Sequence, residues 1–297
     1  MKFRSIAPAV KMLCLLTVIG LASCKKDSSA STSDTKAATL SDSSTVADNM
    51  YNDVLNNAFY ASVDNESVWN AAGSRSGKTA INSTSSNTTT TANLGCAIYS
   101  FDDSVQGEYP KVLTVNFGTG CTSTDGVYRS GVITFTFSGP LLFPGTTTTA
   151  TFNKYVVNGY GIQGAYSIAN NSTDVGGIIF TTQVTNGIIT YPDASNYNYA
   201  SNKTFSQTGG LSTFGDITDD VYSITGNSSF ASSDGSSLVC TVTTPLVKAF
   251  TCPNISAGVL SFVYDEAIKG TIDFGDGTCD SLATLKVGSI QRMISLR

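Results

Sequence analysis

The chain has 297 residues, enough for one large or two ordinary domains, with 17 Lys+Arg against 22 Asp+Glu for a net charge of −5. Charged residues make up only 13%, Ser and Thr together account for 78 of 297, and histidine is absent. That absence excludes Ser/His and Cys/His nucleophilic pairs, His-bearing metal sites and imidazole as a general base. With no basic patch interleaved with aromatics, no nucleic acid is expected as a partner. A binding or structural role, not an enzyme, is the expectation.

In chain order, Lys2 and Arg4 precede an apolar run of 11 residues from Met12 to Ala22, too short for the roughly 20 residues a membrane-spanning helix needs. The run ends in Leu21-Ala22-Ser23-Cys24, which resembles a bacterial lipobox. The resemblance implies that residues 1–23 are a signal peptide, that the Cys24 thiol carries a diacylglycerol and that the new amine is acylated, palmitate being a typical chain. At about 0.8 kcal/mol per buried methylene, such a terminus keeps its membrane partner. The alternative is an ordinary secretory signal with an incidental cysteine. In lipoproteins of Bacteroidota, which this terminus resembles, an acidic run after the cysteine marks export to the outer face. Here residues 25–29 hold one acid, Asp27, so the expectation is an outer-membrane lipoprotein, periplasmic or surface face undecided.

Residues 24–44, poor in large apolar side chains, predict a flexible tether. Val46, Met50, Val54, Leu55, Ala58, Phe59 and Val63 recur at three- and four-residue steps, predicting an amphipathic helix of about 18 residues. Its polar face carries Asp48, Asp53 and Asp64 in place of lysines, so docking onto a β-domain is favoured over lying on a membrane. Trp69 is read as packing at the helix end, and the Ser/Thr/Asn-rich stretch 71–93 as a long surface loop. Residues 45–93 thus form helix plus loop, and 94–297 an all-β domain.

Beyond residue 93 the period changes to two. Ile133, Phe135 and Phe137 alternate with threonines, and Tyr160, Ile162, Tyr166 and Ile168 alternate with small or polar residues. Asn158-Gly159, Asn186-Gly187, Gly209-Gly210, Asp234-Gly235 and Asp276-Gly277 read as turns between about a dozen strands. Short connections favour an antiparallel meander, forming a twisted sandwich or an open barrel-like sheet with one N-terminal helix. The faces opposite the apolar ones are Thr, Ser, Asn and Gly, which argues against a transmembrane barrel.

Of seven cysteines, Cys14 leaves with the signal and Cys24 takes the lipid. Cys96 with Cys121, and Cys252 with Cys279, each flank a strand-rich stretch and are expected to pair, leaving Cys240 as a buried free thiol. Each bridge would contribute about 3 kcal/mol in the chain-entropy model. Phe117-Gly118-Thr119-Gly120-Cys121 is echoed by Phe274-Gly275-Asp276-Gly277-Thr278-Cys279, as if two hairpin ends were equivalent. These motifs, with Tyr109-Pro110-Lys111, Arg129-Ser130-Gly131 and Tyr155-Val156-Val157-Asn158-Gly159, resemble a group of Bacteroidota lipoproteins with no assigned activity. The resemblance spans most of residues 94–297 and implies location and architecture, with no catalytic residues to carry over. It is consistent with bridges at Cys121 and Cys279.

Several clusters are candidates for chemistry. Asp273, Asp276 and Asp280 offer hard oxygen ligands for Ca²⁺, against the reading that Asp-Gly simply makes a tight turn; no other cofactor is expected. Asp216, Asp219 and Asp220 form a second acidic loop read the same two ways. Glu108, Asp265 and Glu266 are the carboxylates beside strand signals that a glycosidase would draw on. Tyr197 and Tyr199 would project from one strand face with asparagines beside them, either stacking on a polysaccharide or serving as cross-strand core. Asp103-Ser104-Val105 and Asp280-Ser281-Leu282 resemble the short O-glycan acceptor pattern of some Bacteroidota.

Overall fold

A computed structural model describes residues 30–64, 95–102, 109–174, 177–213 and 216–296. Cys24, Trp69, Asp103-Ser104-Val105 and Glu108 lie outside the described residues. Among the described residues the fold is one α-helix and one antiparallel meander. α1 spans Thr32–Asp64. The strands are β1 (Ile98–Asp102), β2 (Lys111–Asn116), β3 (Cys121–Thr122), β4 (Tyr128–Phe137), β5 (Thr147–Val157), β6 (Tyr160–Asn170) and β7 (Ile179–Thr190). They continue as β8 (Asn196–Gly209), β9 (Val221–Ser232), β10 (Ser237–Ala249), β11 (Ala257–Tyr264), β12 (Ile268–Asp276), β13 (Leu282–Val287) and β14 (Ile290–Ser295). Each pairs with its chain neighbour, except that β2 passes over β3 to β4 and short β3 pairs along the same strand. The sheet is open, with β1 and β14 at its ends. Alternation is kept as the sequence predicts: Ile133, Phe135 and Phe137 are buried, while Thr134 and Thr136 turn outward.

The helix is longer and more enclosed than its periodicity predicts. It touches β5, β6, β10, β12, β13 and β14, so the sheet curls around it. Thr45, Val46, Ala47 and Asp48, four consecutive residues that together point all round the axis, are all buried. A helix enclosed on all sides needs small residues where backbone meets sheet, and Ala37, Ala38, Ser41 and Ser44 supply them within the supposed tether. Their hydroxyls are satisfied locally: Ser41 donates to the Ala38 carbonyl, Ser44 to Ser41 and Thr45 to Asp42. Ser31 caps the first turn by accepting from the Asp34 N–H at 3.0 Å. The tether expected over 24–44 is therefore helical from Thr32 onward.

Asn186-Gly187 is not a turn but a bulge inside β7. It faces a matching irregularity in β6 between Gln163 and Ala165. The Tyr51 hydroxyl enters there and donates to the Gln163 carbonyl at 2.6 Å. A Cβ on residue 187 would lie 2.7 Å from that hydroxyl, so glycine lets the helix approach. Asn158-Gly159 and Asp234-Gly235 do form the expected connections between β5 and β6 and between β9 and β10. The two Phe-Gly echoes end strands running in opposite directions and lie at opposite ends of the sheet, so they are not equivalent hairpin ends.

Candidate functional site

Among the described residues the densest chemistry is inside the sheet, on the helix face read from sequence as polar. Asp48 and Asp53 are each 6% exposed. Asp53 meets Arg129 at the start of β4, whose Nε donates at 3.0 Å and whose Nη2 donates to the other carboxylate oxygen. The same guanidinium clamps Asp125 through Nη1 at 3.0 Å and Nη2 at 2.7 Å, and lies 5.8 Å from the centroid of the Phe117 ring. Tyr155 and the Asn57 amide also donate to Asp53. Arg129 is 1% exposed; desolvation opposes its charge, but the paired carboxylates outweigh it and hold the guanidinium more firmly protonated than usual. Burial and the Asp53 charge push the Tyr155 phenol well above its ordinary value.

One and a half turns earlier, Asp48 accepts from Lys203 at 2.8 Å and from the Tyr199 hydroxyl. Burial, then the Asp48 charge, raises the Tyr199 phenol strongly. Cys240 lies beside this cluster, 4.0 Å from the Ser44 hydroxyl, its thiol pushed up to about 12 chiefly by burial. In both clusters each acid has a cation and at least one hydroxyl or amide donor, while the buried Oδ1 of Asn57 is left without a hydrogen-bond partner among the described residues. Their geometry ties the helix to the sheet.

Lys248 is different. It is 7% exposed and its ammonium donates to the carbonyls of Ala249, at 3.2 Å, and Cys252, with no ion pair to a carboxylate among the described residues. Desolvation lowers it to about 8. It lines a cavity with Asn52, Leu55, Asn56, Phe59, Phe205, Tyr222 and Phe250 that holds about 20 Å³, room for one water and for no organic ligand.

The residues singled out from sequence fall in other places. Tyr197 and Tyr199 do share a face of β8, but it is the inner one. Tyr199 is 3% exposed and stacks on Tyr51 at 4.7 Å, while Tyr197 stacks on Phe230 at 4.7 Å and meets Tyr191 edge-on. Asn196, Asn198 and Asn202 turn outward, so rings and amides do not form one platform. Cross-strand core is the reading the geometry bears out.

Asp273, Asp276 and Asp280 each accept from a backbone N–H two residues on, at 3.0, 3.2 and 2.9 Å, making three successive turns. The Thr278 N–H and hydroxyl hold Asp276 below the usual carboxylate range. In the second acidic loop Asp216 caps a short 3-10 turn over Ile217–Asp219, and Asp220 is buried against Gln207 and Tyr222, its pKa raised by desolvation. Among the described residues no three His, Cys, Asp or Glu side chains gather as a metal ion would require. Asp265 and Glu266 occupy an exposed hairpin between β11 and β12, at φ 45° and 60°.

Both expected disulfides are formed, Cys96–Cys121 and Cys252–Cys279, and Cys240 is the buried free thiol. No family model, curated protein or solved structure matches the chain.

Proposed function

We propose that this chain is a lipid-anchored protein of the bacterial outer membrane with a structural or binding role. The observation that carries the reading is Leu21-Ala22-Ser23-Cys24 closing a short apolar run behind Lys2, Arg4 and Lys11. Two formed disulfides suit an oxidising compartment. The non-catalytic half of the reading is supported by where the ionisable groups are spent: Asp48, Asp53, Arg129 and Lys203 tie the helix to the sheet. The polysaccharide alternative loses its stacking platform once Tyr197 and Tyr199 face inward.

The test is expression of the full precursor with an alkyne-tagged fatty acid. Native protein takes up the tag and partitions into detergent with the outer-membrane fraction; Cys24→Ser loses both. Equal envelope association of the two forms sinks the reading. Pull-down on insoluble polysaccharide runs alongside, and retention there would restore the sugar-binding role.

A further inference from the structure

We propose that the bilayer faces the end of the fold at which the helix begins, so that the opposite end, braced by Cys252–Cys279, is the one presented outward. The inference rests on Cys24 being the lipidated residue. Eight residues separate Cys24 from Thr32, and at no more than about 3.6 Å each they reach about 29 Å. The 33-residue helix is itself about 50 Å long. The anchor is too short to run back along the fold, so only the near end meets the lipid.

Hydrogen bonds and close contacts identify that end. Asp34 lies against the turn between β13 and β14, where a Cβ on Gly288 would fall 2.3 Å from its carboxylate. Tyr191, where β7 turns toward β8, donates to the Ser43 carbonyl at 2.6 Å. At the other end Tyr60 packs edge-on against Phe250, two residues before Cys252. The near rim carries both signs: Asp193, Asp234, Asp265 and Glu266 lie on its exposed turns, with Lys36 beside Asp234 and Lys269, Lys286 and Arg292 exposed next to them.

The experiment uses the lipidated protein in phosphatidylcholine vesicles carrying a headgroup-linked acceptor dye. A donor is placed on Ser233→Cys in the near β9–β10 turn or on Leu211→Cys in the far β8–β9 loop, buried Cys240 being left in place. Energy transfer from position 233 is expected to exceed that from 211 at least about threefold, given the length of the helix between the two ends. A Gly/Ser insertion of about 20 residues after Ser29 should bring the ratio toward one. Equal or reversed transfer in protein that floats with the vesicles overturns the orientation while leaving the anchor intact. Failure to float overturns the anchor, and the orientation with it.

Discussion

Asp53 and Arg129, 76 residues apart in the chain, share a two-point ion pair in the interior, one on the helix and one on the sheet that encloses it. Removing one partner strands the other without water. Arg129→Met should therefore destabilise the protein by about 3–5 kcal/mol, read from urea unfolding. Adding Asp53→Leu should recover part of that loss, because the uncompensated carboxylate goes too. Strictly additive losses would show that the two residues do not act as a pair.

The capped first turn makes a second prediction. Ser31→Ala should cost about 1 kcal/mol, the worth of an N-cap acceptor. Starting the chain at residue 45 should cost far more, since Ala37, Ala38, Leu40 and Ser41 leave the interior. Unchanged thermal stability on removing residues 25–44 would return that segment to the status of a tether.

Lys248 sets a pH dependence. Its folded pKa, about 8, lies below the unfolded value of 10.5, so between these values the unfolded chain binds the extra proton and stability rises with pH. Below pH 8 the burial penalty on the ammonium is fully present. Compared at pH 7 and pH 9.5, native protein should gain about 2 kcal/mol relative to Lys248→Met. Parallel profiles for the two proteins would refute this. The comparison stays below pH 10, where the raised phenols of Tyr155 and Tyr199 begin to act in the opposite sense.

Cys240 should resist alkylation in the native state at pH 8, being 1% exposed with its thiol near 12. By intact mass, protein produced from residue 25 onward takes no adduct when folded, one in denaturant and five after reduction. A native adduct would mean that the sheet opens over the Ser44 contact.

Much of this architecture is legible in the sequence because it is local. Ile133, Phe135 and Phe137 declare their strand by alternation, and the bridges follow from cysteines that bracket strand-rich stretches. The helix from Val46 to Val63 is legible for the same reason. Residues 32–45 are not, since Ala, Ser and Thr read as low complexity in isolation and become core only when a sheet closes over them. A capping pattern, Ser31-Thr32-Ser33-Asp34, was the available signal. Asp48 and Asp53 read only as a polar face because their cations lie 155 and 76 residues further on, and nothing local announces them. For Tyr197 and Tyr199 parity is legible, but which face turns inward depends on neighbours three strands wide. Asn186-Gly187 carries turn chemistry that is used here to bend a strand around Tyr51.

The helix joins the rest of the molecule along its whole length, yet the polypeptide enters it at one tip. A load applied through the N-terminus therefore runs parallel to the axis and shears every side-chain contact together, so none peels away in succession. Resistance to extraction is then a property of the complete rod, and shortening it from either tip lowers the rupture force in proportion to the contacts removed.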